Sequence, residues 1–188
     1  MTVVYIAIAV VVFILIVVAI IYNSFIYKRN VVKNVFATID VLLKKRFDLI
    51  PNLVSTVKGY AKHEELVFTR IAELRNLANN KKMSDDEKIE LDGRVNGEMK
   101  RLMAVVENYP DLKADRNFMN LQITMTEIED QISAARRAYN AAVTEFNNAC
   151  EMFPTNLFAG MFGFTRKVLF QISDNEKANV NVDFQRQS

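Results

Sequence analysis

The sequence predicts an all-α fold: an N-terminal transmembrane helix continuing into an elongated antiparallel bundle of three to four long helices. Three observations predict it. Residues Thr2 to Tyr27 include no charged side chain, and Val3 to Ile21 are apolar apart from Tyr5. Beyond them, apolar residues recur at alternating steps of three and four, the period of a helix with one buried face. The 188 residues also hold only 5 Gly and 3 Pro, too few turn formers for an all-β chain.

The first segment, residues 1–27, is long enough for a bilayer core, which needs about 20 apolar residues at 1.5 Å rise each. Val3, Val10, Ile16 and Ile21 mark its apolar body, and Tyr22 and Tyr27 are placed as interfacial aromatics. No Lys or Arg precedes it, and Tyr22-Asn-Ser-Phe-Ile-Tyr is a poor cleavage site. The expectation is an uncleaved, single-pass anchor with the lipid bilayer as partner. Lys28, Arg29 and Lys33 follow closely on the C-terminal side, so the positive-inside rule puts the soluble part in the cytoplasm. Only these three lie near the span, so an extracytoplasmic side stays open.

Residues 28–153 read as the helical bundle. From Val32 the stripe lands on Phe36, Ile39, Leu43, Arg46, Ile50, Leu53, Val57, Tyr60, Glu64, Val67, Ile71, Leu74 and Ala78. It passes Pro51 and Gly59 without a slip, which predicts one long rod bent at Pro51, with Gly59 the alternative corner. Arg46 and Glu64 are polar residues in an apolar seam, a device that fixes helix register, and both are candidates for register or subunit contact. After Asn79-Asn80-Lys81-Lys82, Ser84 and Glu87 form a capping-box signature that opens a second helix with Leu91, Val95 and Leu102 on its face. Asn108-Tyr109-Pro110-Asp111 is a turn. The last helix places Phe118, Leu121, Met125, Ile128, Ile132, Ala135, Tyr139, Ala142, Phe146 and Ala149 on one seam as far as Phe153.

Residues 154–188 differ in character. Pro154 stops the helix, and Phe153-Pro-Thr-Asn-Leu-Phe-Ala-Gly-Met-Phe-Gly-Phe164 is uncharged. It either caps the bundle or offers a contact surface through Phe158, Phe162 and Phe164. Val180-Asn-Val-Asp-Phe184 alternates like a short strand, with Phe184 a further candidate contact.

Enzyme chemistry finds little purchase. The sequence has no GxSxG, no HExxH and no phosphate-cradling glycine loop, one His (His63) and one Cys (Cys150). His63-Glu64-Glu65 reads as a solvated helix face, and Cys150 as a small buried hydrophobe. No catalytic residue, cofactor or metal is expected. Charge is nearly balanced, 24 basic against 22 acidic residues, which argues against nucleic acid as a partner.

Four blocks closely resemble the LemA family: Tyr22-Asn-Ser-Phe-Ile-Tyr-Lys-Arg-Asn-Val-Val32, the stretch Ile39 to Glu65, the stretch Phe118 to Val143, and Phe153 to Phe164. The resemblance runs from the membrane helix to nearly the end of the chain. It departs from the family at Leu42-Leu43-Lys44-Lys45-Arg46 and at Phe47. It implies a bacterial, inner-membrane-anchored protein with an antiparallel four-helix bundle and no assigned catalytic residues. A four-helix bundle requires a corner near Pro51 or Gly59, where the stripe alone reads as a bent rod. The expected function is a membrane-attached scaffold that forms a large homo-oligomer. The alternative is an adaptor recruiting another membrane protein, such as a peptidase or transporter.

Overall fold

The computed structural model describes residues 1–61, 63–78 and 83–170. Six helices account for most of these: α1 Thr2–Tyr60, α2 Glu65–Ala78, α3 Asp85–Val106, α4 Pro110–Lys113, α5 Arg116–Glu151 and α6 Thr155–Phe162. No strand occurs among the described residues. The fold is all-α, and the strand-like stretch around Phe184 lies outside them.

α1 is one continuous 59-residue helix that contains Pro51. At 1.5 Å per residue it is about 88 Å long. Residues 2–16 are exposed throughout, and this is the one helix among the described residues long and apolar enough to cross a membrane. From Phe25 onward its stripe turns inward. Phe25, Val32, Phe36, Ile39, Leu43, Ile50, Leu53 and Val57 are all buried, closely matching the spacing read from the sequence.

The rod does not continue to Ala78. α1 ends at Tyr60, and the Ala61 N–H closes the last turn on the Val57 carbonyl at 2.8 Å. Glu64 then opens α2, accepting from the Val67 and Phe68 amides at 3.2 and 3.5 Å. The stripe concealed this corner for a geometric reason. From Val57 to Phe68 is 11 residues, close to three helical turns at about 3.6 residues each. A reversal of that length returns the chain to the same core with its periodicity intact. The four helices α1, α2, α3 and α5 form the antiparallel bundle, α5 packing along α1 and α3 along α2.

Helix starts are fixed by side-chain caps. Ser84 and Glu87 form the full capping box at α3, the Ser84 amide donating to Glu87 Oε2 at 2.7 Å. Asp115 Oδ1 accepts from the Phe118 amide at 2.9 Å to open α5. The carboxyls of Glu87 and Asp115 are each held below the usual range, chiefly by these backbone amides. A carboxyl with a depressed folded pKa stabilises above its unfolded value and loses that contribution as pH falls through the folded one. Acidification through and below pH ~4 should therefore fray both starts. Hydrogen exchange at the Phe118 amide should rise several-fold in Asp115→Ala at neutral pH, and the variant should lose the acid-dependent component at that site.

The apolar interior comes in two parts. A membrane-proximal core joins Phe25, Phe36, Ile39 and Leu43 of α1 to Ile132, Tyr139, Val143 and Phe146 of α5, with Ala159 and Phe170. A distal core joins Ile50, Leu53 and Val57 to Phe68, Ile71 and Leu74 of α2, Leu91, Val95 and Leu102 of α3, and Phe118. Position 46 lies between them.

Candidate functional site: a buried charge lock and a membrane-level aromatic collar

Arg46 fills the gap between the two cores and is 1% exposed. Its Nη1 donates to Asn96 Oδ1 at 2.6 Å and Glu129 Oε2 at 2.8 Å, and its Nη2 donates to Asp92 Oδ1 at 2.6 Å. Arg136 approaches the same two acids, pairing with Asp92 Oδ2 and reaching Glu129 Oε1 at 3.5 Å. Two guanidinium and two carboxylate groups from α1, α3 and α5 thus neutralise one another. A charge removed from water is tolerated only when paired in this way. The Nε atoms of both arginines have no hydrogen-bond partner, so the lock is not fully satisfied. These contacts pin α1 to α3 and α5 at one axial position.

Glu64 is half-buried in the corner before α2. Pro51 lies within α1, and Gly59 is exposed in the last turn, with open space where a Cβ would stand.

At the other end of the bundle, α6 folds back beside the last turns of the apolar span. Val17, Val18 and Ile21 are half-buried, whereas the residues before them are exposed. Gly163 ends α6 with φ 72°, a left-handed conformation that favours glycine, and its turn delivers Phe164 onto α1. The Phe164 ring stacks on Phe25 at 4.7 Å with an interplanar angle of 10°, and the Arg29 guanidinium sits 5.8 Å from its centre. Phe162 meets Tyr22 edge-on at 5.1 Å, and Phe158 packs on the proximal core. Phe158, Phe162 and Phe164 are therefore gathered around Tyr22 and Phe25 in an aromatic collar.

The outer face of this collar is apolar. Phe153, Leu157 and Met161 are 81%, 62% and 74% exposed and recur every four residues, so the latter two share one side of α6. Val3, Val10 and Ile16 are exposed along the span, while Tyr22 and Tyr27 are exposed at its end. Leu157 and Met161 thus stand exposed on the helix that packs beside Tyr22, at the end of the apolar span.

Beyond the collar the chain runs extended along α5, held by two asparagines. Asn147 Nδ2 donates to the Lys167 carbonyl and its Oδ1 accepts from the Lys167 amide, both at 2.9 Å. Asn140 makes the same pair with Phe170, again at 2.9 Å for each bond. The Tyr139 hydroxyl donates to the Val168 carbonyl at 3.3 Å, and burial pushes this phenol up to about 12. Cys150 is half-buried against the proximal core, and burial raises its thiol pKa, as suits a packing residue more than a nucleophile.

Sequence reasoning singled out Arg46 and the phenylalanines but missed Asp92, Asn96, Glu129, Arg136, Asn140 and Asn147. Among these, only the seven-residue interval between the two asparagines was a usable signal. It places them on one face of α5, two turns apart.

The model of the LemA family matches residues 35–184. Protein LemA of Metamycoplasma hominis is 26% identical over 159 residues, covering 85% of this chain and 73% of that one. Magnetosome protein MamQ 2 of Paramagnetospirillum magneticum is 26% identical over 175 residues, and Magnetosome protein MamQ of Magnetospirillum gryphiswaldense 23% over 174. This chain spans 64% of the length of each of these two magnetosome proteins. The matched region takes in the end of α1, the corner, the charge lock, α5 and α6, and the chain belongs to the LemA family.

Proposed function

We propose that the protein is a non-enzymatic, membrane-anchored scaffold whose helical domain assembles into a large homo-oligomer and organises or remodels the membrane beneath it. The observation that carries this reading is the exposed row Phe153, Leu157 and Met161, held beside the membrane end of the bundle. Side chains of this kind at the headgroup boundary bury their apolar area in lipid, and many copies side by side would spread one leaflet. A second apolar strip supports assembly. Met119 and Ile123 stand exposed four residues apart on α5, on the flank of the bundle where a neighbouring copy would pack. The charge bias at Lys28, Arg29 and Lys33 favours a cytoplasmic domain in a single-pass inner-membrane protein. That relatives are magnetosome proteins fits a role at a bacterial structure rather than turnover of a substrate.

Detergent-extracted full-length protein should form large regular particles by light scattering and negative-stain imaging. Met119→Glu with Ile123→Glu should disperse them while leaving the helical content unchanged. A wild-type monomer or small oligomer would overturn the scaffold in favour of an adaptor that recruits another membrane protein.

A further inference from the structure

Residues 152–165 form an uncharged excursion closed at its base by an ion pair. Glu151 Oε1 and Arg166 Nε meet at 2.6 Å, and no Asp, Glu, Lys or Arg stands between them in the chain. Both partners are exposed, at 49% and 71%, and the α6 they bracket turns Leu157 and Met161 outward. An apolar helix face bounded by solvent-exposed charges is the pattern of a segment set into lipid.

Its depth follows from α1. Val3 to Ile21 covers about 28 Å, close to the roughly 30 Å of a hydrocarbon core. Phe162 meets Tyr22, the next residue, and Ile21 is half-buried against the proximal core. The excursion is therefore level with the end of the span.

Cations at this end outnumber acids. Lys28 pairs with Glu145 at 3.5 Å and Arg166 with Glu151, which leaves Arg29, Lys33 and Lys167 without an ion pair among the described residues. Arg29 is the best placed of the three. Its Cα lies about 12 Å past Ile21, but side chains on a helix lean toward the N-terminus, here toward the span. The guanidinium sits 5.8 Å from the centre of the Phe164 ring, which stacks on Phe25. Phe25 is about 6 Å past Ile21, within a headgroup layer of about 5–7 Å on each side of the core. Arg29 Nε is buried with no partner. A guanidinium held on an aromatic face without an acid suits bidentate recognition of phosphate. Lys33 stands one turn further along the same side of α1.

We propose that residues 152–165 insert into the adjoining leaflet and that Arg29, assisted by Lys33, binds the phosphate of an anionic phospholipid at the rim of this excursion. The proposal rests on the reading of the protein as a membrane-anchored scaffold and names the lipid its collar takes. Three unpaired cations favour an anionic over a zwitterionic headgroup.

The chain has no Trp, so Met161→Trp places a single fluorescent reporter on the exposed side of α6. Full-length protein carrying it is reconstituted into vesicles of phosphatidylcholine with a minority of phosphatidylglycerol, the acyl chains of one lipid or the other being brominated. Quenching by brominated phosphatidylglycerol should exceed its share of the lipid several-fold. Arg29→Gln with Lys33→Gln should abolish the excess, and Arg29→Lys alone should retain part of it. Arg137→Gln, which removes an exposed cation further along α5, should leave the excess whole. Absence of quenching by either lipid would overturn the insertion, and with it the leaflet-spreading role of α6. Quenching by each lipid in proportion to its share would overturn the anionic site alone. An excess that survives the double substitution would overturn the role of Arg29.

Discussion

Arg46→Met should be the most destabilising single change at the charge lock, lowering unfolding free energy by about 3–5 kcal/mol. The methionine replaces the apolar stem well, so packing loss is not the main cause. The cost arises because Asp92 stays buried with Arg136 as its remaining cation, and Asn96 loses its donor. Removing Asp92 at the same time should recover much of the loss. Arg46→Met with Asp92→Leu leaves Arg136 opposite Glu129 and takes two charges out of the interior together. A denaturation cycle on the two single variants and the double would measure this coupling. Additive single effects would show that the lock is not a unit. The double variant also asks what the lock is for. If stability returns but oligomer particles become irregular, the lock contributes register rather than energy.

Phe25→Ala should cost a comparable amount, about 3–5 kcal/mol, through the cavity it leaves. The ring is 1% exposed and contacts Phe146 as well as Phe164, so its loss removes the surface on which the aromatic collar rests. The damage should be local. Because the proximal and distal cores are separated at Arg46, amide exchange should accelerate through α6 and the adjoining end of α5, while Leu53 and Leu102 in the distal core remain protected. Uniform loss of protection along the whole bundle would instead show the two cores to be one cooperative unit.

Much of the fold was legible because helical burial repeats. The buried residues of α1 from Val32 to Val57 and of α5 from Phe118 to Phe146 follow the spacing of their apolar positions, and the Ser84 capping box announced α3. The corner after Tyr60 was legible only as the Gly59 alternative and through the family resemblance, since the apolar stripe passes it intact over nearly a whole number of helical turns. α6 was hidden by Pro154, Gly160 and Gly163, which read as breaks although only Gly163 has a positive φ. The charge lock was half visible. An arginine in an apolar stripe stands out, but Asp92 and Glu129 lie 46 and 83 residues away and look like ordinary surface acids in sequence. Asn140 and Asn147 offered only their seven-residue spacing. Their partners are backbone groups, which no side-chain pattern records.

The unbroken passage of α1 out of the bilayer has a mechanical meaning. No loop separates residues 2–24 from residues 25–60, so the span and the bundle share one axis. A helix longer than the local hydrocarbon layer accommodates by tilting. Here the remaining 36 residues extend about 54 Å beyond the span, so a lean of about 10° moves the far end by about 9 Å. A lean of the span in a thinner bilayer would therefore appear at the distal tip as sideways displacement.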